Sequence, residues 1–288
     1  MGSPTRSDDD WMSATLNVAN SAALAKELGC AGAADLKCLQ SFDTAAFHTA
    51  ARAARFAPAL TAPGGGDVFP LGLIRQGRWN KVPVIIGGQA CESCSSALKA
   101  FGPYTRDGVT EPQFRQALVI AGFSGVNGSL VGPDELAQWY AGRIASEGRW
   151  RTFARINSDS GHACSSALHA EGLGSTHDAV WRYFFKYYKS ATHGGDESWL
   201  MDSRGGMNAA ELELSHDMSL WWTSLNSGLD PNAAPYRGAP AWPRFNPALS
   251  PGTMFLGSAD GALPVPSVNS TADTVRAECE HWKQFMGW

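Results

Sequence analysis

The sequence predicts an α/β fold, and two observations carry that expectation. Two apolar, β-rich runs, Lys81-Val-Pro-Val-Ile-Ile-Gly-Gly88 and Ala179-Val-Trp-Arg-Tyr-Phe-Phe-Lys-Tyr-Tyr188, stand far apart in the chain. Stretches with helical spacing of apolar residues separate and surround them. A continuous apolar run bounded by glycine suits a strand covered on both faces, as in a parallel sheet with helices on each side. Strands alternating with helices then make α/β the expected class.

In chain order, Asp10 to Leu28 is expected to be a helix, because Ala, Leu and Val recur at helical spacing until Gly29. Asp35–Gln40 reads as a short turn and Thr44–Arg55 as a second, alanine-rich helix. The stretch from Pro58 to Pro70, with Gly64-Gly65-Gly66, reads as loop. Lys81–Gly88 is the first strand. Glu111–Gly122 and Pro133–Gly148 read as helices, the second with Asp134 and Glu135 in its first turn, and Ala163–His169 opens another. Ala179–Tyr188 is the second strand. From Gly228 to Pro266 the chain is rich in Pro, Gly and Asn and is expected to be mostly irregular. Thr271–Met286 reads as a closing helix with Val275, Cys279, Trp282 and Phe285 on one face.

Composition excludes several classes. With 44% hydrophobic and 17% charged residues in 288, the chain can build a sizeable core. Its net charge of −4 and scattered Lys and Arg leave no footprint for nucleic acid. No apolar run approaches the ~18–20 residues of a membrane helix. No signal-peptide pattern opens the chain. Six cysteines and two glycosylation sequons, at Asn127 and Asn269, nevertheless point to a secreted or extracellular protein whose export signal lies outside this sequence. Cys91 and Cys94 form a C-x-x-C, which fits a local disulfide better than two buried thiols. A metal site there needs two further ligands.

Several segments in one order resemble the type-B carboxylesterase/lipase (cholinesterase-like) family. They are Met1-Gly-Ser-Pro, Leu28-Gly-Cys30 with Lys37-Cys38-Leu-Gln, and Gly77-Arg-Trp-Asn-Lys-Val-Pro-Val-Ile-Ile-Gly87. Ser158-Asp159 with Cys164 and Val180-Trp-Arg-Tyr-Phe-Phe185 follow. Gly205-Gly-Met-Asn-Ala-Ala-Glu-Leu-Glu213, then Trp221-Trp222, Asp230-Pro-Asn232 and Trp242-Pro243, and finally Arg276-Ala-Glu-Cys279-Glu-His-Trp282-Lys-Gln-Phe285 complete the series. The resemblance spans nearly all of residues 1–288 and implies the C-terminal half of a carboxylesterase type B domain. The fold it implies is the C-terminal portion of an α/β-hydrolase sheet with flanking helices. The N-terminal half, with the oxyanion loop and nucleophile elbow, would precede Met1.

The family hydrolyses small carboxylic esters with a serine, an acid and a histidine, through an acyl-enzyme and without a cofactor. The resemblance places the acid at Glu92, five residues beyond the end of the first strand at Gly87. It places the histidine at position 208, where this chain has Asn208. Asparagine cannot accept a proton near neutral pH. His193 and His216 read as surface histidines. No Gly-x-Ser-x-Gly occurs; the nearest string is Gly122-Phe-Ser-Gly. The chain is therefore expected to be inactive alone, an incomplete esterase that needs its N-terminal half or another chain. The alternative expectation is a catalytically silent cholinesterase-like binding or adhesion module. The resemblance further implies the disulfides Cys30–Cys38 and Cys164–Cys279, the second closing a loop long enough to stabilise by ~4–5 kcal/mol.

Overall fold

A computed structural model describes residues 14–54, 70–123, 131–187, 192–203, 205–233, 239–249, 252–258, 263–269 and 277–283. The chain divides into two compact units, Ser7–Leu73 and the remainder.

The smaller unit holds helices α1 (Ala14–Glu27), α2 (Leu36–Leu39) and α3 (Thr44–Ala53). α1 stops at Gly29 as expected: Cys30 N–H donates to Ala25 O and Gly29 N–H to Lys26 O, the paired bonds of a Schellman cap. Asp35 and Asp43 begin the next two helices, their carboxylates accepting from Cys38 N and Ala46 N. Cys30 and Cys38 are bonded, as the resemblance implied.

Helix α4 (Pro70–Arg75) leads into the larger unit. The expected loop at residues 58–69 lies outside the described residues. In chain order the larger unit continues with β1 (Val84–Gln89), α5 (Cys94–Phe101), α6 (Glu111–Ile120), α7 (Pro133–Trp139) and α8 (Ala141–Ser158). A five-residue π-helix, Asp159–Ala163, runs directly into α9 (Cys164–Gly174). Then come β2 (Val180–Phe185), α10 (Glu197–Leu200), α11 (Ala209–Gly228), β3 (Thr253–Leu256), β4 (Pro266–Asn269) and α12 (Ala277–Lys283).

The four strands form one sheet in the order β1-β2-β3-β4. β1, β2 and β3 are parallel, with Val84 opposite Val180 and Arg182 opposite Thr253. β4 returns antiparallel to β3. The fold is therefore mixed α/β with a mostly parallel sheet and flanking helices. Both faces of the sheet are covered, which explains the continuous apolar runs of β1 and β2. Ile85, Trp181, Tyr183, Phe185, Met254 and Leu256 pack against Trp199 of α10 and Leu214, Met218 and Trp221 of α11. Val84, Ile86 and Val180 face Ala170 and Leu173 of α9 on the other side. A second core lies away from the sheet, where α6, α7 and α8 enclose Phe114, Leu118, Leu136, Tyr140, Phe153 and Trp282.

Two expectations need correction, the helix over Pro133–Gly148 and the length of the aromatic strand. Pro133–Gly148 is not one helix: α7 ends at Trp139, and α8 continues ten residues past Gly148. It bends there, because Gly148 has φ 78° and a Cβ at that position would overlap the Arg106 carbonyl. The aromatic strand is shorter than Ala179–Tyr188. The stretch from Gly228 to Pro266 is mostly irregular among its described residues, as expected, with the short β3 inside it. The twenty-residue α11 places His216 on a helix. Of the closing helix only 277–283 are described, with Cys279 and Trp282 buried as expected. Asn127 lies outside the described residues, and Asn269 ends β4 with its side chain also outside them. No described helix is long and apolar enough to cross a membrane.

α11 also carries a pH-dependent liability. Asp217 is buried, and its Oδ1 has no hydrogen-bond partner. Burial first, then the Glu213 carboxylate, push its carboxyl from an ordinary 3.8 up to about 6, against an opposing pull from His216. The folded protein thus holds a proton that the unfolded chain releases near pH 4. Stability from this group is full below about pH 4 and is lost as pH rises through about 6. A rise from 3.8 to about 6 is worth at most ~3 kcal/mol. Glu213 and His216 are exposed, so screening reduces this to roughly 1–2 kcal/mol. Asp217→Asn is expected to stabilise by that amount at pH 8 and by almost nothing at pH 4, read from urea unfolding at both pH values.

Candidate functional site

The end of β1 and the turn after β2 form the site. Because β1 and β2 run parallel, their C-terminal ends emerge side by side, the edge of an α/β sheet where ligand-binding loops gather. The two chains touch once more beyond the strands, in a parallel bridge between Cys91 and Thr192. The next residue on each side is Glu92 and His193. Their side chains meet: His193 Nδ1 lies 2.9 Å from Glu92 Oε2.

Glu92 is fixed from several directions. Its side chain is wholly buried, and its other oxygen, Oε1, accepts from the Gln89 backbone N–H at 2.9 Å. Cys91 and Cys94 on either side are bonded to each other, closing the loop as it enters α5. With both sulfurs in a disulfide, neither thiolate is available to a metal. Ser93 N–H donates to Ser158 Oγ, which anchors the loop to the end of α8.

His193 sits on a tight turn. Gly195 N–H donates to Thr192 O at 2.7 Å, and Gly194 at the third position has φ 68°, a conformation that glycine adopts without cost. The imidazole is 60% exposed. A carboxylate oxygen can only accept, so a hydrogen bond across this contact calls for the proton on Nδ1 and turns Nε2 to the open side of the ring. A second imidazole, His162 on the π-helix, stands with its ring centroid 5.0 Å from that of His193. Such π-helical turns frequently occur at functional sites.

Behind this pair lies a buried polar network. Asp196, three residues after His193, accepts from Gln89 Nε2 at 2.7 Å and from the Tyr183 hydroxyl at 2.8 Å. Burial pushes the Asp196 carboxyl up and the nearby Glu92 and Glu197 add to this, while the bond from Tyr183 opposes it. Burial, with Asp196 alongside, holds the Tyr183 hydroxyl well above its ordinary value of 10.

Glu92 thus occupies a buried position at a strand's C-terminal end. Asn208 is bonded within its own segment instead. Asn208 is the N-cap of α11: its side chain accepts from Glu211 N at 3.0 Å, and Glu211 returns a bond to Asn208 N at 2.9 Å. This reciprocal capping box gives Asn208 a local structural task. The histidine that meets the acid is His193, which sequence reasoning left as a surface residue. His216 is exposed on α11, 3.5 Å from Asp202. The overlooked signal was the string Thr192-His193-Gly194-Gly195-Asp196 just past the second strand. Asn208→Ala is expected to cost about 1 kcal/mol of stability through the lost cap, measured by chemical denaturation, and to leave the His193–Glu92 contact unchanged.

All three disulfides join the expected cysteines. Among the described residues, no group of three His, Cys, Asp or Glu stands close enough to hold a metal ion. No protein-family model matches the chain, and no curated protein matches it.

Proposed function

We propose that this chain is the C-terminal half of a type-B carboxylesterase-like α/β-hydrolase, and that Glu92 and His193 are the acid and base of its catalytic triad. The observation that carries the reading is the 2.9 Å contact between His193 Nδ1 and buried Glu92 Oε2 at the C-terminal edge of a parallel sheet. An acid that precedes the histidine in the chain agrees with the order used in this fold. The chain itself contains no Gly-x-Ser-x-Gly, so the nucleophile and oxyanion hole come from polypeptide outside these residues.

In the assembled enzyme, His193 Nε2 takes the proton of the attacking serine hydroxyl. Glu92 stabilises the imidazolium through the Nδ1–H bond, without itself becoming protonated. The same Nε2–H then protonates the departing alcohol. A water molecule repeats the sequence to release the acid from the acyl-enzyme. The substrate is a small carboxylic ester, and no cofactor is required. Three disulfides support an oxidising, extracellular setting.

The reading as a silent binding module rested on Asn208 standing in the place of the base. With His193 beside Glu92, no observation favours it. The test joins this chain in frame to an elbow-bearing N-terminal half from a type-B carboxylesterase and measures hydrolysis of a short-chain p-nitrophenyl ester. Turnover that depends on both the elbow serine and His193 is expected; turnover indifferent to His193 overturns the proposal.

A further inference from the structure

We infer that Asp196 is a positioning residue for the Glu92–His193 pair, acting through Gln89. The inference deepens the proposed function and rests on its assignment of that pair as acid and base. Four links close a ring. His193 Nδ1 lies 2.9 Å from Glu92 Oε2, and Glu92 Oε1 accepts from the Gln89 backbone N–H. Gln89 Nε2 donates to Asp196 Oδ1, and Asp196 returns to His193 through the three peptide bonds of the turn. Gln89 is the hinge, because its main chain holds one carboxylate while its side chain holds the other.

The ring solves a specific problem. Glu92 and His193 lie on separate loops 101 residues apart. The bridge between Cys91 and Thr192 sets the two backbones side by side, yet it does not set the direction of a 60% exposed imidazole. An exposed ring on a glycine turn loses rotational freedom only if the turn itself is held. Asp196 holds it. Gln89 and Asp196 are both buried, and Tyr183 from the middle of β2 donates to the second Asp196 oxygen. The turn is thereby fastened to both strands from which the site emerges. Gln89 Oε1 is left buried without a partner. That unpaired oxygen costs stability, and it accompanies the bond that the same amide makes to Asp196.

The experiment reads the ring nitrogens of His193 in residues 1–288 by two-bond 1H–15N correlation spectra, with His193 assigned from its absence in His193→Gln. The wild type is expected to show one neutral tautomer, with the proton on Nδ1. Gln89→Met keeps the volume and the main-chain bond to Glu92 but cuts the link to Asp196. Asp196→Ala cuts the same link from the other side. Both are expected to lose the single-tautomer pattern and show the Nε2–H form as well. Asp196→Asn, which still offers Oδ1 to Gln89, is expected to restore it. A merely structural role lowers stability without changing the tautomer, so circular-dichroism melts are run on each variant. Should Asp196→Ala not fold, Gln89→Met decides. A single Nδ1–H tautomer in folded Gln89→Met overturns the inference.

The readout needs no turnover, which separates two kinds of failure. A held tautomer in the wild type, lost in Gln89→Met, supports the positioning role even if the joined enzyme hydrolyses nothing; in that case the esterase reading alone falls. Both tautomers in the wild type overturn the inference along with the acid–base pair.

Discussion

Replacing Cys164 and Cys279 together with alanine is expected to lower the stability of the sheet-bearing unit by about 4–5 kcal/mol. The bond joins residues 115 apart, tying the first residue of α9 to α12. In the chain-entropy model a loop of that length restricts the unfolded state far more than the other two bridges do. Cys30–Cys38 and Cys91–Cys94 span 8 and 3 residues, worth roughly 2.5 and 1.5 kcal/mol in the same model. Both long-range sulfurs are buried, with relative exposures of 0% and 1%, so the unfolded-state effect and the loss of packing act in one direction. Urea unfolding of the double variant measures this from midpoint and slope together, the slope being expected to rise because the unfolded chain without the bridge exposes more surface. A loss below about 1 kcal/mol would mean that the noncovalent contacts of α12, among them Trp282 Nε1 to the Tyr140 hydroxyl at 2.8 Å and Arg143 to Glu278 at 2.7 Å, hold it without the bridge.

The same comparison of local and distant constraints decides what was legible in the sequence. β1 was readable because burial on both faces removes any polar alternation, leaving an unbroken Val-Ile-Ile that ends at glycine. α1 and its stop were readable because a helix cap is written within a few residues. β3 and β4 were not readable. Each is four residues long, and their pairing partners are supplied by the fold. The bounds of α11 were not read even though its start was present in the sequence. Asn208 and Glu211 are spaced as a capping box, a helix signature that the resemblance to a histidine-bearing loop obscured.

The site was half legible for a related reason. Glu92 could be reached by counting past a strand end, since the strand itself was clear. His193 could not be reached by counting, because its neighbour across the site is 101 residues away and their meeting depends on the parallel pairing of β1 with β2. An exposed histidine between a lysine-rich strand end and two glycines reads as surface. The bridge from Cys91 to Thr192 turns that surface residue into the partner of a buried acid. Gln89, Tyr183 and Asp196 were invisible for the same cause: each is ordinary in its own segment, and they become a network only where three segments converge.

In the enzyme assembled from this chain and an elbow-bearing half, His193→Gln is expected to lower kcat by at least ~10³-fold, the scale on which triad bases contribute. Glutamine keeps much of the size and polarity of the imidazole but cannot take a proton near neutral pH. Because the His193 ring is 60% exposed, the substitution removes little packing, so lost turnover cannot be attributed to unfolding. Glu92→Gln is expected to fall on a similar scale for a different reason: a neutral amide no longer favours the Nδ1–H tautomer or stabilises the imidazolium. Asn208 supplies the internal control. Asn208→His places an imidazole on the cap of α11, and the reading of His193 as the base predicts no gain from it and a modest loss of stability. The opposite result, turnover that survives in His193→Gln and rises in Asn208→His, would return the base to position 208. It would make the 2.9 Å contact with Glu92 a structural ion pair rather than catalytic machinery.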